Sequence, residues 1–152
     1  MTYGPDNRLR TYNGQNIQYD DDGNMTLAPL QGQMQTFQYD SRNRLISAGT
    51  TSYTYDAQNQ RVAINQNGAE TRYTISPGYL SQALIRAGPD GRKTWYIYGL
   101  GLIGQENQDG SYRSYHYDYR GSTTAITDID GEITDHIQYD PYGKITHREG
   151  TT

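Results

Sequence analysis

Several side-chain sets in this sequence have the types that catalysis or metal binding needs. Carboxylates crowd the C-terminal third, at Asp118, Asp128, Asp130, Asp135 and Asp140. Two such groups hydrolyse a glycosidic bond only when they face each other across a sugar-sized gap in a cleft. Here they fall in short polar segments that read as turns, and no cleft is implied. Asp128-Ile129-Asp130-Gly131-Glu132 begins like a calcium loop. An EF-hand closes on a bidentate glutamate at loop position twelve, and that position holds Tyr139. His116, His136 and His147 lack metal-motif spacing. Gly99-Leu100-Gly101-Leu102-Ile103-Gly104 mimics a dinucleotide loop but lacks the following helix that would complete it. There is no Gly-x-Ser-x-Gly elbow, no Walker A loop and no cysteine. The sequence therefore predicts no enzyme activity, no metal and no cofactor.

What does recur is the dipeptide Tyr-Asp, at Tyr19-Asp20, Tyr39-Asp40, Tyr55-Asp56, Tyr117-Asp118 and Tyr139-Asp140. Degenerate copies stand at Tyr3 and Tyr98, each followed by glycine. Alternating runs precede the dipeptides, such as Ile17-Gln18-Tyr19, Tyr53-Thr54-Tyr55 and Ile137-Gln138-Tyr139. Period two puts the rings and branched residues on one face of a strand and Gln, Thr or His on the other. Turn residues follow, with Gly121 and Gly143 three places after their aspartates. Aspartate accepts local backbone N–H groups and glycine tolerates positive φ. The aspartate thus reads as a turn cap, and each unit of about twenty residues as one hairpin.

The far ends of the hairpins carry Asn13-Gly14, Asn67-Gly68, Asp90-Gly91, Asp109-Gly110 and Asp130-Gly131, which favour two-residue type I′ turns. Leu27 to Met34 is a less regular joint. Tyr79 to Ala87 reads equally as a short helix or another strand. The fold expected is all-β: an antiparallel hairpin meander in a curved, open sheet. No linker or composition shift divides residues 1–152, so a single segment is expected.

Composition agrees. The chain has 152 residues, enough for one domain or a piece of a larger array. Sixteen tyrosines stand against one Phe and one Trp, and mean hydropathy is -0.97. Such a chain suits a thin sheet whose rings pack while their hydroxyls stay wet. The net charge of -4, with no basic run, disfavours nucleic-acid binding. No apolar run is long enough for a helical membrane span. Met1 to Asp6 lacks the features of a signal peptide. Trp95, Tyr96 and Tyr98 are candidate ligand-stacking residues for a glycan or a cell-surface partner.

Laid out this way, the chain resembles the YD-repeat family of bacterial Rhs proteins, Tc-toxin C subunits and teneurins. Tyr39-Asp40-Ser41-Arg42-Asn43-Arg44-Leu45 matches its repeat, and Tyr55 to Val62 matches with one inserted residue. Tyr117-Asp118-Tyr119-Arg120-Gly121, running on to Tyr139-Asp140-Pro141-Tyr142-Gly143, looks like the end of an Rhs core. The resemblance implies a β-ribbon that spirals into a hollow shell around a toxin, secreted or extracellular as part of a larger bacterial toxin. Its implied partners are neighbouring repeats and an enclosed toxin domain, and open sheet edges imply self-association. The family's core continues into a plug whose Asp-Pro-x-Gly-Leu motif self-cleaves. Asp140-Pro141-Tyr142-Gly143-Lys144 is close to that motif but occupies a repeat position, so the protease is not carried over. A piece of shell wall is therefore expected, without plug or cargo.

Overall fold

A computed structural model describes residues 1–78 and 81–150. The described residues form strands and turns and no helix. They fall into two compact units, Met1–Thr71 and Arg72–Thr152.

The first unit holds β1 (Thr2–Tyr3), β2 (Leu9–Tyr12), β3 (Gln15–Asn16), β4 (Gln18–Tyr19), β5 (Met25–Leu30), β6 (Gln33–Tyr39), β7 (Leu45–Ala48), β8 (Thr51–Tyr55) and β9 (Arg61–Gln66). β1, β2 and β3 make a small antiparallel sheet. β4 to β9 pair consecutively, each antiparallel to the next. β10 (Ala69–Ile75) straddles the division between the units. The second unit continues with β11 (Ala83–Ala87), β12 (Lys93–Tyr98), β13 (Leu102–Asn107), β14 (Tyr112–Tyr117), β15 (Thr123–Thr127), β16 (Ile133–Tyr139) and β17 (Ile145–Gly150). From β10 to β17 every neighbour in sequence is also an antiparallel neighbour in the sheet. The all-β meander read from the period-two runs is thus the observed architecture. Of the stretch from Tyr79 to Ala87, the part from Ala83 is strand, and Tyr79 and Leu80 lie outside the described residues.

Alternation sets the faces. In β8, Thr51, Tyr53 and Tyr55 are half-buried while Ser52 and Thr54 are exposed. Ile17 and Ile137 are buried beside exposed Gln18 and Gln138. Among the described residues the buried apolar side chains are few: Ile17, Ala28, Ala48 and Ala63 in the first unit, Ile126 and Ile137 in the second. Many tyrosines, among them Tyr53, Tyr55, Tyr73, Tyr96 and Tyr139, are half-buried beside this sparse core. Tyr117 departs from the pattern at 42% exposure. Asp135 is buried on the strand opposite Ile126. Its carboxylate accepts a bond from the Thr134 hydroxyl at 3.0 Å and lies 3.6 Å from the Arg148 guanidinium.

Two turn types recur between the strands. Asn13-Gly14 and Asn67-Gly68 have positive φ at both residues, the type I′ signature. Gln31-Gly32, inside the stretch expected to be irregular, has it too. Asp90-Gly91, Asp109-Gly110 and Asp130-Gly131 correct the type I′ expectation. Only their glycines have positive φ, and each pair lies inside a longer loop. That loop is the same one that follows Tyr-Asp.

Candidate functional site

The site is a turn used repeatedly. At Asp20, Asp40, Asp56, Asp118, Asp128 and Asp140 the aspartate N–H donates to the carbonyl four residues on, at 2.8–3.0 Å. The N–H three residues on donates back to the aspartate carbonyl, at 2.9–3.2 Å. These bonds define a β-turn followed by a left-handed residue that forms a bulge. The left-handed residue is Gly23, Asn43, Asn59, Gly121, Gly131 or Gly143. The strand register slips by one residue at this point, so Tyr19 faces Met25 and Tyr55 faces Arg61.

The carboxylate completes the turn. Oδ1 of Asp56 accepts the Gln58 N–H at 2.9 Å and the Gln60 N–H at 2.8 Å. Asp40, Asp118, Asp128 and Asp140 accept the equivalent pair at 2.9–3.1 Å. Asp20 accepts the Asn24 N–H at 2.8 Å and the Asn24 carboxamide at 3.0 Å. Hydrogen bonding to the charged form lowers a carboxyl pKa. The Asn24 side chain holds Asp20 below its ordinary value. The Arg44 side chain, donating from Nε at 2.7 Å, pulls Asp40 down to about 2. These carboxylates are organised for holding backbone.

Two variants of the turn were not legible as caps. Asp128 follows Thr127 instead of a tyrosine, yet makes the full set of bonds. Where the first position is Gly4, Gly88 or Asn107, the two backbone bonds persist at 2.8–3.0 Å. The cap then moves two places on. Asp6, Asp90 and Asp109 accept the N–H of Arg8, Arg92 and Ser111 at 3.3, 3.0 and 2.9 Å. The available signal was an aspartate directly before Asn7, Gly91 or Gly110.

The tyrosine ties hairpins together in four of the five Tyr-Asp pairs, at Tyr19, Tyr55, Tyr117 and Tyr139. Its hydroxyl donates to a carbonyl near the start of the preceding return strand. Tyr19 bonds Leu9, Tyr55 bonds Leu45 and Tyr139 bonds Thr123, each at 2.9 Å. Tyr98 and Tyr117 reach Ala83 and Leu102 in the same way. Successive turns of the first unit are also laced side to side. Asn24 donates to Asn43 at 3.0 Å, and Arg42 and Arg44 donate to Asn59 at 3.1 and 3.0 Å. The Arg44 guanidinium lies over the Tyr55 ring, 4.8 Å from its centre.

Trp95, Tyr96 and Tyr98 divide between two faces. Trp95 is exposed alongside Lys93 and Ile97, whereas Tyr96 and Tyr98 are half-buried with Thr94 on the other face. Burial pushes the Tyr96 and Tyr115 hydroxyls above their ordinary pKa. The histidines are spread over β14, β16 and β17. His116 Nε2 is 2.9 Å from the Thr127 hydroxyl and His147 Nε2 is 3.1 Å from Glu149. Among the described residues no three His, Asp or Glu side chains are placed to hold a metal ion.

Fold and turn together define an antiparallel β-meander built from repeated, carboxylate-capped Tyr-Asp turns. No family model matches the chain. It is 29% identical over 154 residues to a tRNA3(Ser)-specific nuclease WapA of Bacillus spizizenii, covering 95% of this chain and 6% of that protein. The tRNA nuclease WapA of Bacillus subtilis matches with the same identity and coverage. The chain thus spans 6% of the length of the curated relatives it matches. Among solved structures, a chain of the Photorhabdus luminescens Tc holotoxin pore is similar over 89% of this chain and 10% of its own length, with 12% identity and a TM-score of 0.41.

Proposed function

We propose that this chain is a non-enzymatic wall segment of a YD-repeat β-shell, which encloses a toxin or effector in an extracellular bacterial protein. The observation that carries the reading is the use of the Tyr-Asp carboxylates. Each one described binds the backbone of its own turn, and the tyrosine beside it joins one hairpin to the next at Tyr19, Tyr55, Tyr117 and Tyr139. A wall made this way gains stability from neighbour contacts, repeat upon repeat. The WapA relatives carry nuclease names, and the segment shared with them is a small part of their length. On this reading the nuclease activity resides in the remainder of those proteins. The whole of residues 1–152 acts as one run of repeats, with neighbouring repeats and the enclosed cargo as its partners.

The test is gel filtration with light scattering on the purified chain across a concentration series, followed by incubation with tRNA. A wall segment shows concentration-dependent association through its sheet edges and leaves tRNA intact. A compact monomer at every concentration, or tRNA cleavage lost in a Tyr-Asp variant that still folds, would overturn the reading.

Recognition of a glycan or cell-surface partner is the second reading. Its observation is the exposed apolar pair Trp95 and Ile97, at 37% and 38% exposure on one face of β12. Glycan binding abolished by Trp95→Ala, with Tyr96→Ala and Tyr98→Ala contributing through the opposite face, would favour it.

A further inference from the structure

The hairpin of β7 and β8 is shorter than the hairpin of β5 and β6 before it, and the mismatch leaves a notch. β5 and β6 stay paired as far as Leu30 and Gln33, where the Gln31-Gly32 turn closes them. β7 and β8 close earlier. Ala48 is level with Phe37 of β6 and already pairs with Thr51 across Gly49 and Thr50. Gln35 and Gln33 therefore run on past the end of the shorter hairpin. On its other side Thr51 pairs with Gln66, and the Asn67-Gly68 turn follows. The short turn is tied to both neighbours. The Gly49 N–H donates to the Thr36 carbonyl at 2.9 Å, and the Asn67 N–H donates to the Thr50 carbonyl at 3.4 Å. All of these residues belong to the first unit.

A cavity of about 320 Å³ lies at this notch. Gln33 and Gln35 line it from β6, Thr51 from β8 and Gln66 from β9, and Leu30 and Ala48 supply its apolar part. The register puts all six on one face of the sheet. Leu30 is opposite Gln33, Phe37 is opposite Ala48, and Thr51 is opposite both Ala48 and Gln66. Gln33, Gln35 and Phe37 share that face by the period of two along β6. No lining residue carries a charge, in a chain of which 20% is charged. The carboxamides of Gln33, Gln35 and Gln66 have no hydrogen-bond partner among the described residues. Water reaches them, because no buried side-chain polar atom among the described residues lacks a partner.

We propose that this notch binds one neutral sugar ring. Each carboxamide offers an acceptor and two donors, and the Thr51 hydroxyl both donates and accepts. A sugar hydroxyl also does both, so it can replace water at any of these groups without leaving a bond unmade. Leu30, 42% exposed, and the Ala48 methyl give apolar surface to the C–H face of the ring. The volume is at the lower end of those that hold small ligands, which suits a single ring. A sulfated or carboxylated sugar would leave water for a site without a counter-charge, and that costs free energy. The inference does not depend on the wall reading and uses none of Trp95, Tyr96 and Tyr98.

The experiment titrates the 15N-labelled chain with glucose, galactose, mannose and N-acetylglucosamine, read by amide shifts. At least one of them should give saturable shifts at Gln33, Gln35, Thr51 and Gln66, and glucuronic and galacturonic acid should bind more weakly. Gln33→Ala and Gln66→Ala should each weaken binding roughly fivefold, the effect of losing one hydrogen bond. Both positions are exposed, so these variants keep the fold. Gln38→Ala, exposed on the opposite face of β6, should leave binding unaltered, as should Trp95→Ala. Shifts that stay linear with every sugar, or that persist unaltered when Gln33→Ala and Gln66→Ala are combined, overturn the proposal. Uronic acids that bind as tightly as the neutral sugars overturn it as well. Binding lost in Trp95→Ala but kept in the glutamine variants assigns the sugar to β12 and overturns it too, while the wall reading stands.

Discussion

Replacing Asp56 with alanine removes an acceptor that serves two backbone N–H groups, those of Gln58 at 2.9 Å and Gln60 at 2.8 Å. The two losses differ. The Gln58 N–H is exposed and recovers a water partner, so its bond contributes little. The Gln60 N–H is partly buried at the start of the return strand, and leaving it unpaired costs about 1 kcal/mol or somewhat more. Capping aspartates at helix ends, which do the same job, contribute about 1 kcal/mol each. The expected loss is therefore about 1–2 kcal/mol. Asp56→Asn keeps an Oδ1 acceptor at the same place and should lose less than half of that. In a chain of this size each 1 kcal/mol lowers the melting temperature by roughly 2–4 °C. The assay is urea denaturation followed by far-ultraviolet circular dichroism, with amide exchange to localise the change. The alanine variant should lower the midpoint at constant slope and speed exchange at Gln60. An unchanged midpoint in Asp56→Ala, or an equal loss in Asp56→Asn and Asp56→Ala, would refute the claim that this oxygen caps the turn.

The same bonds make other expectations. Asp40 has its pKa depressed from 3.8 to about 2, chiefly by the Arg44 side chain. A carboxylate with a depressed folded pKa stabilises above its unfolded value, and that stability is lost as pH falls. The urea midpoint should therefore drop between pH 3.8 and about 2, and Arg44→Ala should flatten that dependence. Gly121 has a φ of +84°, and a methyl group added at its Cα would meet nothing within 4 Å. Gly121→Val should thus cost about 1–2 kcal/mol through backbone strain alone, measured by the same denaturation. Gly121→Asn should cost less, because Asn43 and Asn59 already hold this position at φ values of 58° and 66°. Tyr55→Phe deletes the hydroxyl bonded to Leu45 at 2.9 Å and should cost about 1 kcal/mol, with faster amide exchange in β7 and β8.

The period-two runs made the strands legible, because a half-buried sheet imposes that period on every strand it contains. Ile17-Gln18-Tyr19 and Ile137-Gln138-Tyr139 lie as the alternation requires, with Gln outward. The aspartate caps were legible because Asp followed at three places by Gly or Asn has one local use. Turn type at the far ends was not. Asp90-Gly91 and Asn67-Gly68 look alike as dipeptides, yet the first sits in a bulged loop and the second in a two-residue turn. The choice depends on whether the strands arrive in a register that needs an extra residue, and a dipeptide carries no register. Gln31-Gly32 was missed for the opposite reason, since glutamine rarely takes positive φ. The buried Asp135 was unreadable as well: its partners Thr134 and Arg148 come together only through the pairing of β16 with β17. The trio at Trp95, Tyr96 and Tyr98 drew notice for its rings, although adjacent strand residues must face opposite ways.

The central claim is that this chain is wall, and that wall protects cargo. Limited proteolysis of the full-length protein that contains this segment, with intact cargo as the readout, tests it most directly. Cargo in the parent protein should resist protease. Combined Asp40→Ala, Asp56→Ala, Asp118→Ala and Asp140→Ala substitutions should expose the cargo while its own activity, once released, is unchanged. Cargo digested equally fast with the turns intact, or cargo activity destroyed by those substitutions while protection persists, would contradict the claim.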